Sequence, residues 1–192
     1  MSPRTPRQNE EIRKQSRQQI IDAAFQLFAN EGFAKTSISA VAEKAGISKG
    51  LIYHYFDSKE GILEAIFNQL VAMGDEILDF NEDSTPAENM RKSFEETFMF
   101  IQHQTGVGRL MISLALQPDA FESLKDNIEK VQKRQMETYV GLLRELGYEE
   151  PETEAYKIGA LMDGILLGYV TMGNNYPLEE MKQKIIDEYV PN

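Results

Sequence analysis

Apolar residues return at intervals of three and four along nearly the whole chain, the spacing that gives a helix one buried stripe. No stretch alternates with period two for long enough to predict a strand. The first stripe, Ile20, Ala24, Leu27 and Phe28, predicts a helix ending at Gly32. Ile38, Val41, Ala42 and Ala45 predict a short second helix stopped by Gly46, and a third short one runs from about Lys49 to Tyr55. A fourth is predicted from Asp57, with Glu60 three residues on as an N-terminal capping pattern; its stripe is Ile62, Ile66, Phe67, Leu70, Met73 and Ile77. The polar stretch from Asn81 to Pro86 reads as a loop. Met90, Phe94, Phe98 and Ile101 predict a fifth helix broken by Gly106 and Gly108, and a short helix follows up to Pro118. A long helix is predicted from about Ala120 to Leu146, with Phe121, Leu124, Ile128, Val131, Tyr139, Leu142 and Leu146 inward and Gly147 ending it. Pro151 and Pro177 suit the first turns of two more. The expected fold class is all-α, with about nine helices.

Charge divides this series into two modules. Residues 1–60 carry nine Lys+Arg and seven Asp+Glu, whereas residues 61–192 carry eleven and twenty-four. The first module can approach a polyanion that the second repels, although acidic helix faces that merely keep a protein soluble account for the charge equally well. Domains are therefore expected at 1–60 and 61–192. The absence of cysteine excludes disulfides, thiolate metal sites and cysteine nucleophiles. No run of about 18 apolar residues is long enough to span a membrane, and the basic N-terminus lacks the apolar core of a secretory signal. These features favour a cytoplasmic protein. Two histidines far apart, with no carboxylate–histidine cluster at metal spacing, argue against an enzyme; no catalytic residue, metal or cofactor is expected.

Residues 38–57 carry the most specific pattern. Ala42 is small where two helices would cross, Gly46 follows four later at a turn where positive φ is cheap, and Ile52 lies six further on. Val41, Ala45, Ile47, Ile52 and Tyr55 fall where such a unit buries side chains. This is the spacing of a helix-turn-helix, whose second helix presents its N-terminal residues to the major groove. A helical hairpin with no role on DNA has the same spacing.

Three adjoining pieces, IIDAAFQLFANEGFAKTS (Ile20–Ser37), ISAVAEKAGIS (Ile38–Ser48) and KGLIYHYFDSKEGIL (Lys49–Leu63), resemble the TetR/AcrR family of transcriptional regulators. The resemblance covers about the first third of the chain. It implies DNA contacts at Thr36, Lys49, Tyr53, His54 and Lys59, the last as a phosphate-contacting lysine. Thr36 or Ser37 suits the cap of the second helix, and either hydroxyl can reach a phosphate. Ser48 suits the cap of the third, whose free N–H groups and positive dipole end favour an anion. Lys49 offers a charged donor, Gly50 a close backbone approach, and Tyr53 and His54 hydrogen bonds to the backbone. Tyr55 and Phe56 read as core. Arg4, Arg7, Arg13, Lys14 and Arg17 fit either a solvated tail or a basic arm threading a minor groove.

The eighth helix, IGALMDGILLGYVTM from Ile158 to Met172, is apolar on nearly all sides and so must be buried on nearly all sides. A second copy of the chain is the expected partner, in a two-fold dimer built on this helix and on Leu178–Tyr189. The expected interface is Ile158, Leu161, Ile165, Gly168, Met172, Met181 and Ile185. The family implies the same four-helix interface, which would set recognition helices about 34–36 Å apart on a near-palindromic double-stranded operator. It also implies a small-molecule effector site in helices five to eight. Candidate lining residues are Phe94, Phe98, His103, Met111, Leu114, Tyr139, Met162, Asp163 and Tyr169, each of which has an ordinary core or surface explanation as well. The expected function is a ligand-released repressor. The alternative is a DNA-binding protein governed by a protein partner.

Overall fold

The computed structural model describes residues 5–81 and 83–191. Among these are nine α-helices, a 3-10 turn at Gly173–Asn175, and no strand. The helices are α1 (Pro6–Glu31), α2 (Ile38–Ala45), α3 (Lys49–Tyr55), α4 (Lys59–Ile77), α5 (Pro86–His103), α6 (Thr105–Ala115), α7 (Pro118–Glu145), α8 (Pro151–Met172) and α9 (Leu178–Tyr189). They fold as two units. The first holds residues up to Gln69 together with Ser113–Ser123; the second holds Leu70–Ile112 and Leu124 onward. The division thus differs from the boundary at residue 60 that charge suggests. It falls inside α4, and the corner between α6 and α7 belongs with the first unit.

In the first unit α1 packs on α2 and α2 on α3. Ile20, Ile21, Ala24, Phe28, Val41, Ile52, Ile62 and Leu63 are buried, and the Phe28 and Phe33 rings meet edge to face at 5.0 Å. Several helix ends differ from expectation, each for a local reason. α1 begins at Pro6, far upstream of its apolar stripe: Thr5 and Gln8 form a reciprocal capping box with Pro6 in the first turn, and the residues that follow are good helix formers. Arg7, Arg13, Lys14 and Arg17 are therefore helical and exposed, neither a disordered tail nor an extended arm; Arg4 lies outside the described residues. α4 begins at Lys59, because the Ser58 hydroxyl, not Asp57, accepts the Gly61 N–H at 3.0 Å. The break after α5 falls at Gln104, and Gly106 and Gly108 lie inside α6. Gly108 is there for close approach: a Cβ at this position would come within 2.7 Å of Leu166 Cδ1 on α8.

The second unit is built around α5. Met90, Phe94, Phe98 and Ile101 join Leu142, Leu143, Ile158, Ile165, Ile185 and Tyr189 in one core. The Phe94 ring lies 6.5 Å from Tyr139 and 6.0 Å from Tyr189, and Tyr148 stacks on Tyr189 at 6.0 Å. Burial pushes the Tyr189 phenol up to about 12; its hydroxyl donates to Glu154 at 2.9 Å. The side chain of Phe121, expected in the core, lies outside the described residues.

Gly168 and Tyr176 make a tight contact. A Cβ on Gly168 would lie 2.3 Å from the Tyr176 ring, so the ring must shift if one is added. Gly168→Ala is expected to destabilise by about 1–3 kcal/mol through overpacking. In a Tyr176→Ala background the same substitution should become neutral or stabilising, since helical alanine is favoured over glycine. A thermal-unfolding double-mutant cycle checks this, and additive effects would contradict the contact.

Candidate nucleic-acid interface

α2, the turn and α3 are fixed by backbone chemistry before any side chain reaches outward. Ser37 caps α2 by accepting the Ala40 N–H at 3.1 Å, and Ser48 caps α3 by accepting the Leu51 N–H at 3.2 Å. Between them Gly46 takes the left-handed conformation, φ +68°, and its N–H bonds back to the carbonyls of Ala42 and Glu43. A residue with a Cβ would be strained there. α3 is held from beneath by Ile52, 0% exposed, and closed by the buried Phe56. Tyr55 is half-buried.

With that face anchored, Lys49, Gly50, Tyr53 and His54 stand exposed on α3, with Ser48 at its start. Tyr53 is 50% exposed, far more than a core tyrosine, and nothing lies within 4 Å of where a Cβ on Gly50 would be. The His54 ring packs edge to face on Tyr55 at 5.3 Å, which orients it without using its nitrogens. α3 carries no acidic residue. The result is a short helix whose outward surface holds a cation, two hydrogen-bonding rings and a bare backbone position, a set suited to base edges and phosphates.

Thr36 and Lys59 have other partners than the expected phosphates. Thr36 is 3% exposed, and its hydroxyl donates to the Gly32 carbonyl at 2.9 Å. The Lys59 ammonium donates to the carbonyls of Phe33 at 2.8 Å and Thr36 at 3.1 Å, and lies 4.2 Å from the centre of the Phe33 ring. Both hold the turn between α1 and α2 through backbone carbonyls, which no sequence motif announces. A third tie, Gln117, has no sequence signal. Its side-chain oxygen accepts the Ala34 N–H at 3.0 Å, while its amide donates to the Ser113 carbonyl and hydroxyl at 2.9 and 2.7 Å.

Residues 20–66, the span holding this head, match the sequence pattern of bacterial regulatory proteins of the tetR family. Over 186 residues the chain is 30% identical to the HTH-type transcriptional regulator BetI of Proteus mirabilis, spanning 91% of this chain and 89% of that protein. The chain belongs to the tetR family of bacterial regulatory proteins. It is similar in fold to FadR of Bacillus subtilis, solved in complex with stearoyl-CoA, with TM-score 0.70, 22% identity and coverage of 90% of this chain and 97% of that one. It is also similar to a transcriptional regulator from Saccharomonospora viridis solved in complex with choline, with TM-score 0.72, 17% identity and coverage of 92% and 96%.

In this TetR-family chain the candidate effector residues fall into groups. Phe94, Phe98 and Tyr169 are buried in one core, with Tyr139 and Met162 packed against it. Burial raises the Tyr139 phenol, a shift partly offset by hydrogen bonds with Ser93 and Thr97. The others are not part of that cluster. Leu114 is buried in the first unit, Met111 and Asp163 are exposed, and His103 lies at the rim of a cleft of about 400 Å³ between α5 and α9, lined also by Phe98, Met99 and Lys182. No group of three or more potential metal ligands occurs among the described residues. No helix there is long and apolar enough to cross a membrane.

The expected dimer residues need correction. Ile158, Ile165 and Ile185 are buried in the chain's own core, Leu161 and Met181 pack against it, and Gly168 lies beneath Tyr176. Only Met172 of that set is exposed. The free face of α8 is instead Tyr156, Ala160, Asp163, Gly164, Leu167 and Thr171, one continuous helical stripe that also takes in Gly159 and Met172. Leu167 is 49% exposed, and nothing lies within 4 Å of a Cβ on Gly159 or Gly164. A helix apolar all round offers no periodicity from which to tell its inner side from its outer. Partial burial on this face raises the pKa of the Asp163 carboxyl.

Proposed function

We propose that the chain is a ligand-released repressor that binds a near-palindromic operator as a homodimer. One observation carries the DNA-binding part: Ser48, Lys49, Gly50, Tyr53 and His54 stand together in solvent on a helix whose other side is fixed by Ile52 and Phe56. Lys49 supplies charge to phosphate or guanine, and Tyr53 packs on a thymine methyl or bonds to the backbone. Ser37 lies exposed at the start of α2 and offers a further hydroxyl to phosphate. The bare α8 stripe supports pairing of two copies, since exposed Tyr156, Leu167 and Met172 on a glycine-bearing face favour close helix packing.

For the effector, the half-buried Tyr139 and Met162, with Tyr169 in the adjoining core, offer π faces and a polarizable thioether. These suit a quaternary ammonium or an acyl chain, the ligand classes bound in the two similar structures. α4 runs through the division between units and is the element to carry an effector's influence to the reading head. A few ångström at both heads would remove the avidity of the dimer. Effector and operator must then weaken each other by the same factor. A second reading, regulation by a protein partner with no small molecule, is favoured by the complete burial of Phe94, which is 0% exposed.

Selection of bound DNA from a random duplex pool tests the DNA-binding part. The expected product is a two-fold symmetric site whose affinity falls at least a hundredfold in Lys49→Ala/Tyr53→Ala, at about 1–3 kcal/mol per lost base contact and head. No enrichment over scrambled duplex, or unchanged binding by the variant, would end this reading. Choline and stearoyl-CoA, titrated against the operator complex, distinguish the two effector classes. Release by neither favours the protein-partner reading.

A further inference from the structure

α1 has two halves of different character. From Ile20 to Phe28 it is a core helix, but from Arg7 to Gln19 no side chain is buried and only Ser16 is even half-buried. Thirteen residues at 1.5 Å each make a rod of about 20 Å outside any core. A helix of this length is marginal without packing. Here its start is secured locally by the Thr5–Gln8 capping box, and its far end by Gln18, which exchanges an amide hydrogen bond with Gln69 on α4 at 2.8 Å.

Cations on this rod continue the buried rows. Arg13 and Arg17 are followed at helical spacing by Ile20, Ala24 and Phe28, and Arg7 and Lys14 by Ile21. The side of α1 that faces the core downstream is therefore basic upstream. Arg17 shows where that side leads: its guanidinium lies 4.9 Å from the ring centre of Phe56, the residue that closes α3. Two acids temper the charge. Glu10 is on the same side, 3.4 Å from Lys14, and Glu11 is beside it, leaving a net excess of two positive charges.

We infer that the unburied half of α1 is a second DNA-binding element, in which Arg7, Arg13 and Lys14 take phosphates of the duplex outside the base pairs met by α3, while Arg17 positions the rod through Phe56. The chemistry is that of a polyanion held by exposed cations, with no groups arranged to read a base; the contact adds affinity without sequence preference. The inference rests on the reading of α3 as the recognition helix. Double-stranded DNA is the fitting partner because the basic side adjoins that helix.

The test uses the full chain and the operator obtained by selection. The variant Arg7→Gln/Arg13→Gln/Lys14→Gln keeps good helix formers and touches no core. Operator affinity is measured from 50 to 200 mM salt, with hydroxyl-radical footprinting of the complex. The slope of log affinity against log salt should fall by about 0.9 for each phosphate lost, so by roughly two to three per bound head, with base preferences unchanged and backbone protection lost at the outer edges of the site. Lysine at 7 and 13 with Lys14 retained should restore slope and footprint. A selective wild-type protein whose triple variant keeps its slope and footprint would overturn this inference and leave the recognition helix standing. A wild-type protein that prefers no duplex would overturn both. If the variant lost base preference instead, or bound anionic vesicles less well while binding operator normally, the role on phosphate would also be refuted.

Discussion

Phe94→Ala is expected to remove about 3–5 kcal/mol of stability, enough to consume much of the roughly 5–15 kcal/mol that holds an ordinary domain together. The size follows from its position. Phe94 is fully buried, packs on Tyr139 and Tyr189, and belongs to a core to which α5, α7, α8 and α9 all contribute. Truncation leaves a hole among rings that cannot collapse without displacing Tyr139 and Tyr189 from their packing. Urea unfolding followed by far-UV circular dichroism measures the loss; a second, earlier transition would assign it to the second unit. Phe94→Leu should cost well under half as much. A cost below about 1 kcal/mol for alanine would mean that the core is loosely filled, with space that a ligand can claim.

Lys59→Met is the second large effect, and it separates architecture from DNA contact. The ammonium serves two carbonyls and one aromatic face, so its loss should remove about 2–3 kcal/mol from the first unit, on the scale of hydrogen bonds to a charged group. Methionine keeps most of the aliphatic stem; the Thr36 carbonyl loses its donor, and the Phe33 carbonyl keeps only the Thr36 N–H at 3.2 Å. Operator affinity should fall as well, because Thr36 and the start of α2 lose their register. That fall should carry little change in salt slope, whereas loss of a lysine bound to phosphate changes the slope by about one per head. Unchanged thermal stability with a reduced slope would return Lys59 to the role its sequence position first suggested.

The contrast at Lys59 shows how far residue patterns reach. Apolar periodicity located α2, α3 and α5 closely, because each alternates buried and exposed positions on a helical period and is bounded by a cap or a glycine. The exposed cluster on α3 was legible too, since Ile52 and Gly46 fix which side of so short a helix faces inward. Three things were not. The upstream half of α1 has no apolar stripe, so its helicity rests on the Thr5–Gln8 cap and on propensity. α8 is apolar on every side, so Ile158 and Ile165 looked as available to a partner as Ala160 and Leu167 are. The ties made by Lys59 and Gln117 end on backbone carbonyls and amides, groups that every residue owns and no sequence distinguishes.

Gln117 has a practical consequence. The Ala34 amide proton, on the connection between α1 and α2, is held by a side chain more than eighty positions away. Its exchange with deuterated solvent therefore becomes a spectroscopic sentinel. Slow exchange reports a closed clasp; faster exchange on adding a ligand reports that the α6–α7 corner has let go, whether or not DNA is present.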